Sequence, residues 1–196
     1  MQANKTQNNS NYKSNVELVS EWVHTATLYS IIDMWTQDSQ YNGEKTSKRK
    51  ATFRFEIPSI MSDFGKWEQP VAVSMNNVTL SMHEKGKMRP MIEKIIWKKL
   101  SDTEAELFDL SEILGKNVQV VIEHNGEYCN IQSFLTYKWK PIKAINEPYI
   151  LDLDAFDQKV FDKLWEKTKE KIMATPERIE ICKKTEKEGN EENEKF

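Results

Sequence analysis

Two dipeptides, Asn42-Gly43 and Asn125-Gly126, constrain this chain more than any other feature. A two-residue hairpin turn needs positive φ at its central positions, and Asn and Gly reach it at least cost. Each dipeptide sits between runs rich in β-branched and aromatic residues, the composition of strands. The first joins "WVHTATLYSIIDMWT" to "ATFRFEI"; the second joins "NVQVVIEH" to "YCNIQSFLTYKW". The chain is therefore read as two antiparallel hairpins with other material between them.

That material contains one more strand and the first helices. "ATFRFEI" is expected to stop at Pro58, and "SIMSDFGKWEQP" reads as a loop. "VAVSMNNVTLSMH" is a third strand with an irregularity at Asn76-Asn77. In "EKGKMRPMIEKIIWKKL" the residues Met88, Met91, Ile92, Ile95 and Ile96 recur at helical spacing, and Pro90 fits a first turn. "SDTEAELFDLSEILG" opens on a capping box, Ser101 with Glu104, and closes on Gly115. After the last strand comes an extended connector, "KPIKAINEPYI". The stretch "DLDAFDQKVFDKLWEKTKEKIMA" reads as one amphipathic helix capped by Asp152 or Asp154 and ended by Pro176. Its stripe is Phe156, Val160, Leu164 and Ile172, with Phe161 and Trp165 beside it. The class is mainly β with helices. Five strands with helices between the third and fourth is the order of an OB-fold, a small Greek-key barrel. The expected organisation is a disordered arm (1–15), an OB-fold-like domain (16–145), a connector and C-terminal helix (146–177) and a charged tail (178–196).

Four pieces, in order, carry a resemblance: "IIDMWTQDSQYNGE…RKATFRFEIP", "VTLSMHEKGKMRPMIE", "FDLSEILGKNVQVVIEHNGEYCNIQSF" and "LDLDAFDQKVFDKLWEKTKEKIMATPE". Together they make the chain resemble a family of phage-encoded OB-fold single-stranded DNA-binding proteins, over roughly residues 22–177. In that family the first piece usually reads aliphatic-Asp-Leu-Gly-Thr-Gln. Here Met34-Trp35-Thr36-Gln37 follows Asp33, so the Gly is lost, while Arg89 stands where the helix piece carries an Arg. The resemblance implies an OB-fold and a role in phage DNA replication or recombination.

Charge argues for a local binding patch. The net charge is −3, and the five Glu and two Lys of residues 186–195 account for all of it. The rest of the chain is near neutral, so a surface that meets phosphates must be local. Single strands need cations along the backbone and flat rings on which bases stack. The first hairpin supplies Tyr41, Lys45, Lys48, Arg49, Lys50 and Arg54; the same pattern also suits a solvated turn above a core of Phe53 and Phe55. "TYKWKPIK" supplies Tyr137, Lys138, Trp139 and Lys140, with the two rings expected on one side and the two lysines on the other; packing under the C-terminal helix is the competing role. Trp67, in "FGKWEQ", is the most loop-like tryptophan, and Trp35 also lies near a barrel loop. Trp97 and Trp165 fall on helices and are expected to pack. The basic face of the first helix (Lys85, Lys87, Arg89, Lys94, Lys98, Lys99) is read as solvated, and the Met cluster (Met82, Met88, Met91) as core filler.

The tail ends "NEENEKF". Its glutamates, among them Glu191, Glu192 and Glu194, keep such a segment extended, and Phe196 with the α-carboxylate makes a two-part ligand for a pocket with an apolar floor and a basic rim. Replication or recombination proteins are the expected partners of that tail.

No P-loop, GxGxxG, GxSxG or HExxH occurs, and His24, His83 and His124 share no metal-ligand spacing. The chain is read as a non-enzyme with no metal or cofactor. Cys129 and Cys182 are far apart and read as reduced thiols; with no signal peptide and no apolar run of membrane-spanning length, the expected location is a (bacterial host) cytoplasm. The competing functional class is a phage interaction factor on the same scaffold that binds a protein and little or no DNA.

Overall fold

The computed structural model describes residues 19–41, 44–63, 68–126 and 128–179. The protein is mainly β, with a few short helices. Strands β1 (Trp22–Tyr41), β2 (Glu44–Asp63), β3 (Glu68–Thr79), β4 (Asn117–Asn125) and β5 (Tyr128–Leu135) form one antiparallel sheet in the order β3-β2-β1-β4-β5. The three-residue β6 (Tyr149–Leu151) pairs parallel with β1 at Ser30–Ile32. β3 and β5 are the two ends of that order. Their Cα atoms come within 8 Å, but no ladder joins them among the described residues.

Both hairpins form where the Asn-Gly turns fall. Tyr41 pairs with Glu44, and Asn125 pairs with Tyr128. Gly126 has φ +63°, a left-handed value that glycine reaches without the steric cost a side chain adds. The irregularity in β3 is real: Asn77 has φ +57°, and the β2–β3 register slips between Ala51 and Phe53.

Pro58 does not end β2. The strand continues to Asp63 and pairs with Glu68–Pro70, so most of the expected loop is hairpin. The β2–β3 register shifts between Ile57 and Met61, and Pro58 sits in that irregularity, where no ladder N–H is required of it.

One face of the sheet is hydrocarbon. Leu28, Phe53, Phe55, Ile57, Val118 and Val120 are fully buried there, and α1 (Met88–Ile96) adds Met91, Ile92 and Ile95. Each buried Phe contributes about 1.5–3 kcal/mol. α2 (Asp102–Glu106) forms on the expected capping box: Ser101 accepts from the Glu104 N–H, and Glu104 accepts from the Ser101 N–H at 2.9 Å. A 3-10 turn, Leu110–Ile113, leads into β4.

The opposite face is buried too, but by different chemistry. The connector after β5 crosses it. Asn117 donates to the Ile142 carbonyl (2.8 Å) and accepts from the Ile142 N–H (2.8 Å), and it also donates to Thr27 Oγ1 (2.7 Å). Glu56 is fully buried and accepts from Ile145 N–H (2.5 Å), Asn146 N–H (3.1 Å) and Asn146 Nδ2 (2.7 Å). Further along β1, Ile32, Met34 and Trp35 pack with Leu151, Leu153, Phe161, Leu164 and Ile172. Trp35 is therefore a buried strand residue. It takes φ +52° in a bulge between Asp33 and Thr36, and its N–H donates to Asp33 Oδ1 at 2.9 Å.

The single C-terminal helix expected from the sequence is two. Asp157 caps α3 (Gln158–Asp162), accepting from the Lys159 and Val160 N–H groups; α4 (Glu166–Met173) starts anew after Trp165, whose backbone is extended. A straight helix over the whole stretch would be about 35 Å long. The break lets Phe161, Leu164 and Ile172 all reach the same cluster around Trp35.

Candidate nucleic-acid interface

Beyond its last pairing with β3 at Lys50 and with β6 at Ile32, the β1–β2 hairpin runs on as a two-stranded arm. Six pairs, from Thr36–Arg49 to Tyr41–Glu44, extend it by about 20 Å. Lys45 and Lys48 are exposed on this arm, and Lys50 is half-buried at its root. None of the three meets a carboxylate among the described residues.

Arg49 is not a free cation. Its guanidinium bonds to Asp33, reaches Asp154 at 2.7 Å and lies 3.8 Å from Asp152. The hydrogen bond to Asp33 is the main reason its pKa is raised. With the Thr36 N–H donating to Glu177 Oε1 (3.2 Å), Arg49 fastens the root of the arm to the C-terminal segment. The sequence could not separate this role from phosphate binding, because Asp152 and Asp154 lie about a hundred positions away.

Arg54 lies opposite Ser30, and Ser30 pairs with Tyr149, so register puts Arg54 and Tyr149 on one face. Tyr29 meets Tyr149 edge to face, with ring centroids 6.4 Å apart. Burial pushes the Tyr29 hydroxyl pKa up, and the adjacent Arg54 offsets part of that. All three side chains are half-buried. This Tyr-Tyr-Arg group lies between the level of the connector, at Thr27–Glu56, and the C-terminal cluster, at Ile32. No local signal marks Tyr29 or Tyr149, because each sits in a strand-like run where a ring is expected to be core.

β5 stops at Leu135, so Tyr137 and Trp139 do not share a strand face. Tyr137 is buried, and its hydroxyl donates to the Lys140 carbonyl at 2.9 Å. It props Trp139, whose ring centroid is 5.3 Å away and which is 63% exposed. Lys138 and Lys140 are exposed on either side of Trp139, without carboxylate partners among the described residues. The stacking candidate here is Trp139 alone.

The basic face of α1 divides. Arg89 is buried and holds the helix to the following turn, donating to Asp102 (2.8 Å), Glu93 (3.3 Å) and the Leu100 carbonyl (2.5 Å). Lys99 pairs with Glu93 (2.7 Å) and Lys98 with Glu104. Trp97 and Trp165, expected to pack, are 52% and 74% exposed. Each falls at a helix boundary, at the end of α1 and the start of α4, where a helical stripe no longer fixes the side chain's direction.

The Tyr41 side chain, Trp67, Cys182 and the tail residues Glu191, Glu192, Glu194 and Phe196 lie outside the described residues, as do residues 1–18. Cys129 carries a free thiol. The histidines bond to backbone groups, His24 to the Ser20 carbonyl (2.8 Å) and His124 to the distant Val19 carbonyl (2.6 Å), while His83 accepts from the Lys85 N–H (3.1 Å). Among the described residues no cluster of three His, Cys, Asp or Glu side chains could hold a metal ion, and no helix is long and apolar enough to cross a membrane. No family model, curated protein or solved structure matches this chain.

Proposed function

We propose that this protein binds single-stranded DNA with little sequence preference and serves phage DNA replication or recombination. The reading takes the sheet as a five-stranded OB-fold-like barrel, closed by the approach of β3 and β5, with α1 between β3 and β4. One observation carries it: Trp139 is presented to solvent between Lys138 and Lys140, while Lys45 and Lys48 are exposed on the arm. Stacked bases contribute about 1–3 kcal/mol each whatever their identity, and lysines follow phosphates without reading sequence. The tail, in this reading, recruits replication or recombination proteins, and the site of action is the host cytoplasm.

Fluorescence anisotropy of a labelled oligo-dT of about 30 nucleotides tests the proposal, at two salt concentrations and with duplex DNA as competitor. Lys45, Lys48, Lys50, Lys138 and Lys140, if all meet phosphates, give a slope of log K against log salt of about −3.5. Absence of binding at low salt removes the proposal. It would favour the second reading, a protein-interaction factor on the same scaffold. The observation behind that reading is the exposure of Trp22, Tyr128 and Trp165, aromatic side chains of the kind that anchor protein interfaces.

A further inference from the structure

We propose that Trp97 and Lys94 form a separate stacking subsite that takes one base of a single strand and its phosphate. The inference rests on the single-stranded DNA reading and extends it to a surface away from the hairpin arm.

Two observations meet at Trp97. First, its backbone is strained. It is the residue that ends α1, at φ +61° and ψ +28°, with its N–H returned to the Glu93 carbonyl. That left-handed position is ordinarily taken by glycine, because a side chain there crowds the backbone. The Lys98 N–H closes on the same Glu93 carbonyl (3.2 Å), so the hydrogen-bonded end of the helix holds Trp97 in this conformation and fixes the direction of its side chain. The side chain is thereby presented to solvent, half exposed, where a glycine would ordinarily stand.

Second, the ring belongs to a cationic cleft of about 290 Å³, formed where the end of α1 faces the chain leaving β5. Four lysines, Lys94, Lys98, Lys99 and Lys138, line it, together with Thr136 and one acid, Glu93. Glu93 is buried; burial alone would push its carboxyl up, but Lys99, the Leu100 N–H and Arg89 together hold it below the usual range, so it is charged and already satisfied. Lys98 is held by Glu104 and Lys99 by Glu93. Lys94 and Lys138 have no carboxylate partner among the described residues. The cleft thus offers one solvent-facing ring with two cations beside it that no described carboxylate holds. That combination fits a base with its phosphodiester. Lys138 lines this cleft and directly precedes Trp139, so the two aromatic positions share one cation.

The test uses the full chain with Trp97→Gly and Lys94→Glu against the same oligo-dT. Glycine accepts the left-handed backbone, so Trp97→Gly is expected to keep Tm within about 3 °C of the parent. Its affinity is expected to fall roughly 5- to 150-fold, the loss of one stacked base. Lys94→Glu is expected to bring the salt slope closer to zero by at least about 0.7, one phosphate contact. Both effects together support the subsite. Parental binding with unchanged affinity and slope in both variants overturns the subsite and leaves the DNA-binding reading standing. No binding by the parent overturns both.

Discussion

The two faces of the sheet are buried by different means, one by hydrocarbon throughout and the other largely by hydrogen bonds. The inner face is a continuous hydrocarbon core of Leu28, Phe53, Phe55, Ile57, Val118 and Val120 under α1. The outer face buries Thr27 and Ser30 of β1 with Glu56 and Asn117 of its neighbours under a connector held by hydrogen bonds, and further along it packs the C-terminal segment on a smaller apolar cluster around Ile32 and Trp35. Hydrocarbon burial is non-directional and tolerates repacking, whereas a buried carboxylate depends on every one of its donors. The inner face therefore sets whether the domain folds. The outer face sets how the connector, with Trp139 on it, and the C-terminal segment are positioned for binding.

Truncating the inner face is the harshest way to test that division. Phe55→Ala is expected to cost about 3–5 kcal/mol, read from urea unfolding, with all probes moving together. A loss under about 1 kcal/mol would mean that Phe55 and its neighbour Phe134, at 5.4 Å, are not core. Glu56→Ala removes the acceptor for two connector N–H groups and is expected to cost about 2–3 kcal/mol. Hydrogen exchange should then rise over residues 142–147 more than in β1 and β2. Uniform acceleration would erase the distinction between the faces.

The ion pair at the root of the arm is a smaller effect. Asp33→Ala is expected to cost about 1–2 kcal/mol, because Arg49 is partly exposed and its share is screened, while the Trp35 N–H loses its acceptor. A double-mutant cycle with Arg49→Met should show coupling; additive losses would remove the pair as the fastening.

The smallest effect concerns the capping box of α2. Glu104 is held down to about 2, first by Lys98 and then by Ser101. Its carboxylate therefore stabilises the fold fully above the unfolded value, about 4.3, and that help is lost as pH falls toward 2. The parent should lose more Tm than Glu104→Gln between pH 5 and pH 2. Equal losses would mean the box adds nothing.

The sequence revealed the inner face and hid the outer one for a physical reason. Phe53 and Phe55 alternate, Asn-Gly marks both turns, Asn76-Asn77 marks the bulge, and Ser101 with Glu104 marks a helix start; all are local signals. Glu56 finds its donors 89 and 90 positions away and Asn117 finds Ile142 25 positions away. No local pattern announces such partners, so Glu56 reads as an ordinary outward strand residue and Arg49 as a free cation. Pro58 lies inside β2 because proline is tolerated where the ladder slips. The aromatic candidates divided for the same reason: Tyr137 turns inward to the Lys140 carbonyl once β5 ends, and Trp97 turns outward once α1 ends.

The most direct test of the binding surface is ultraviolet cross-linking of the full chain to oligo-dT, with the modified peptides identified by mass spectrometry. The account expects adducts on the peptides that carry Trp139, Trp97 and Lys45–Lys48, suppressed by unlabelled single strand and not by duplex. Adducts confined to other surfaces, or none at low salt, would contradict it.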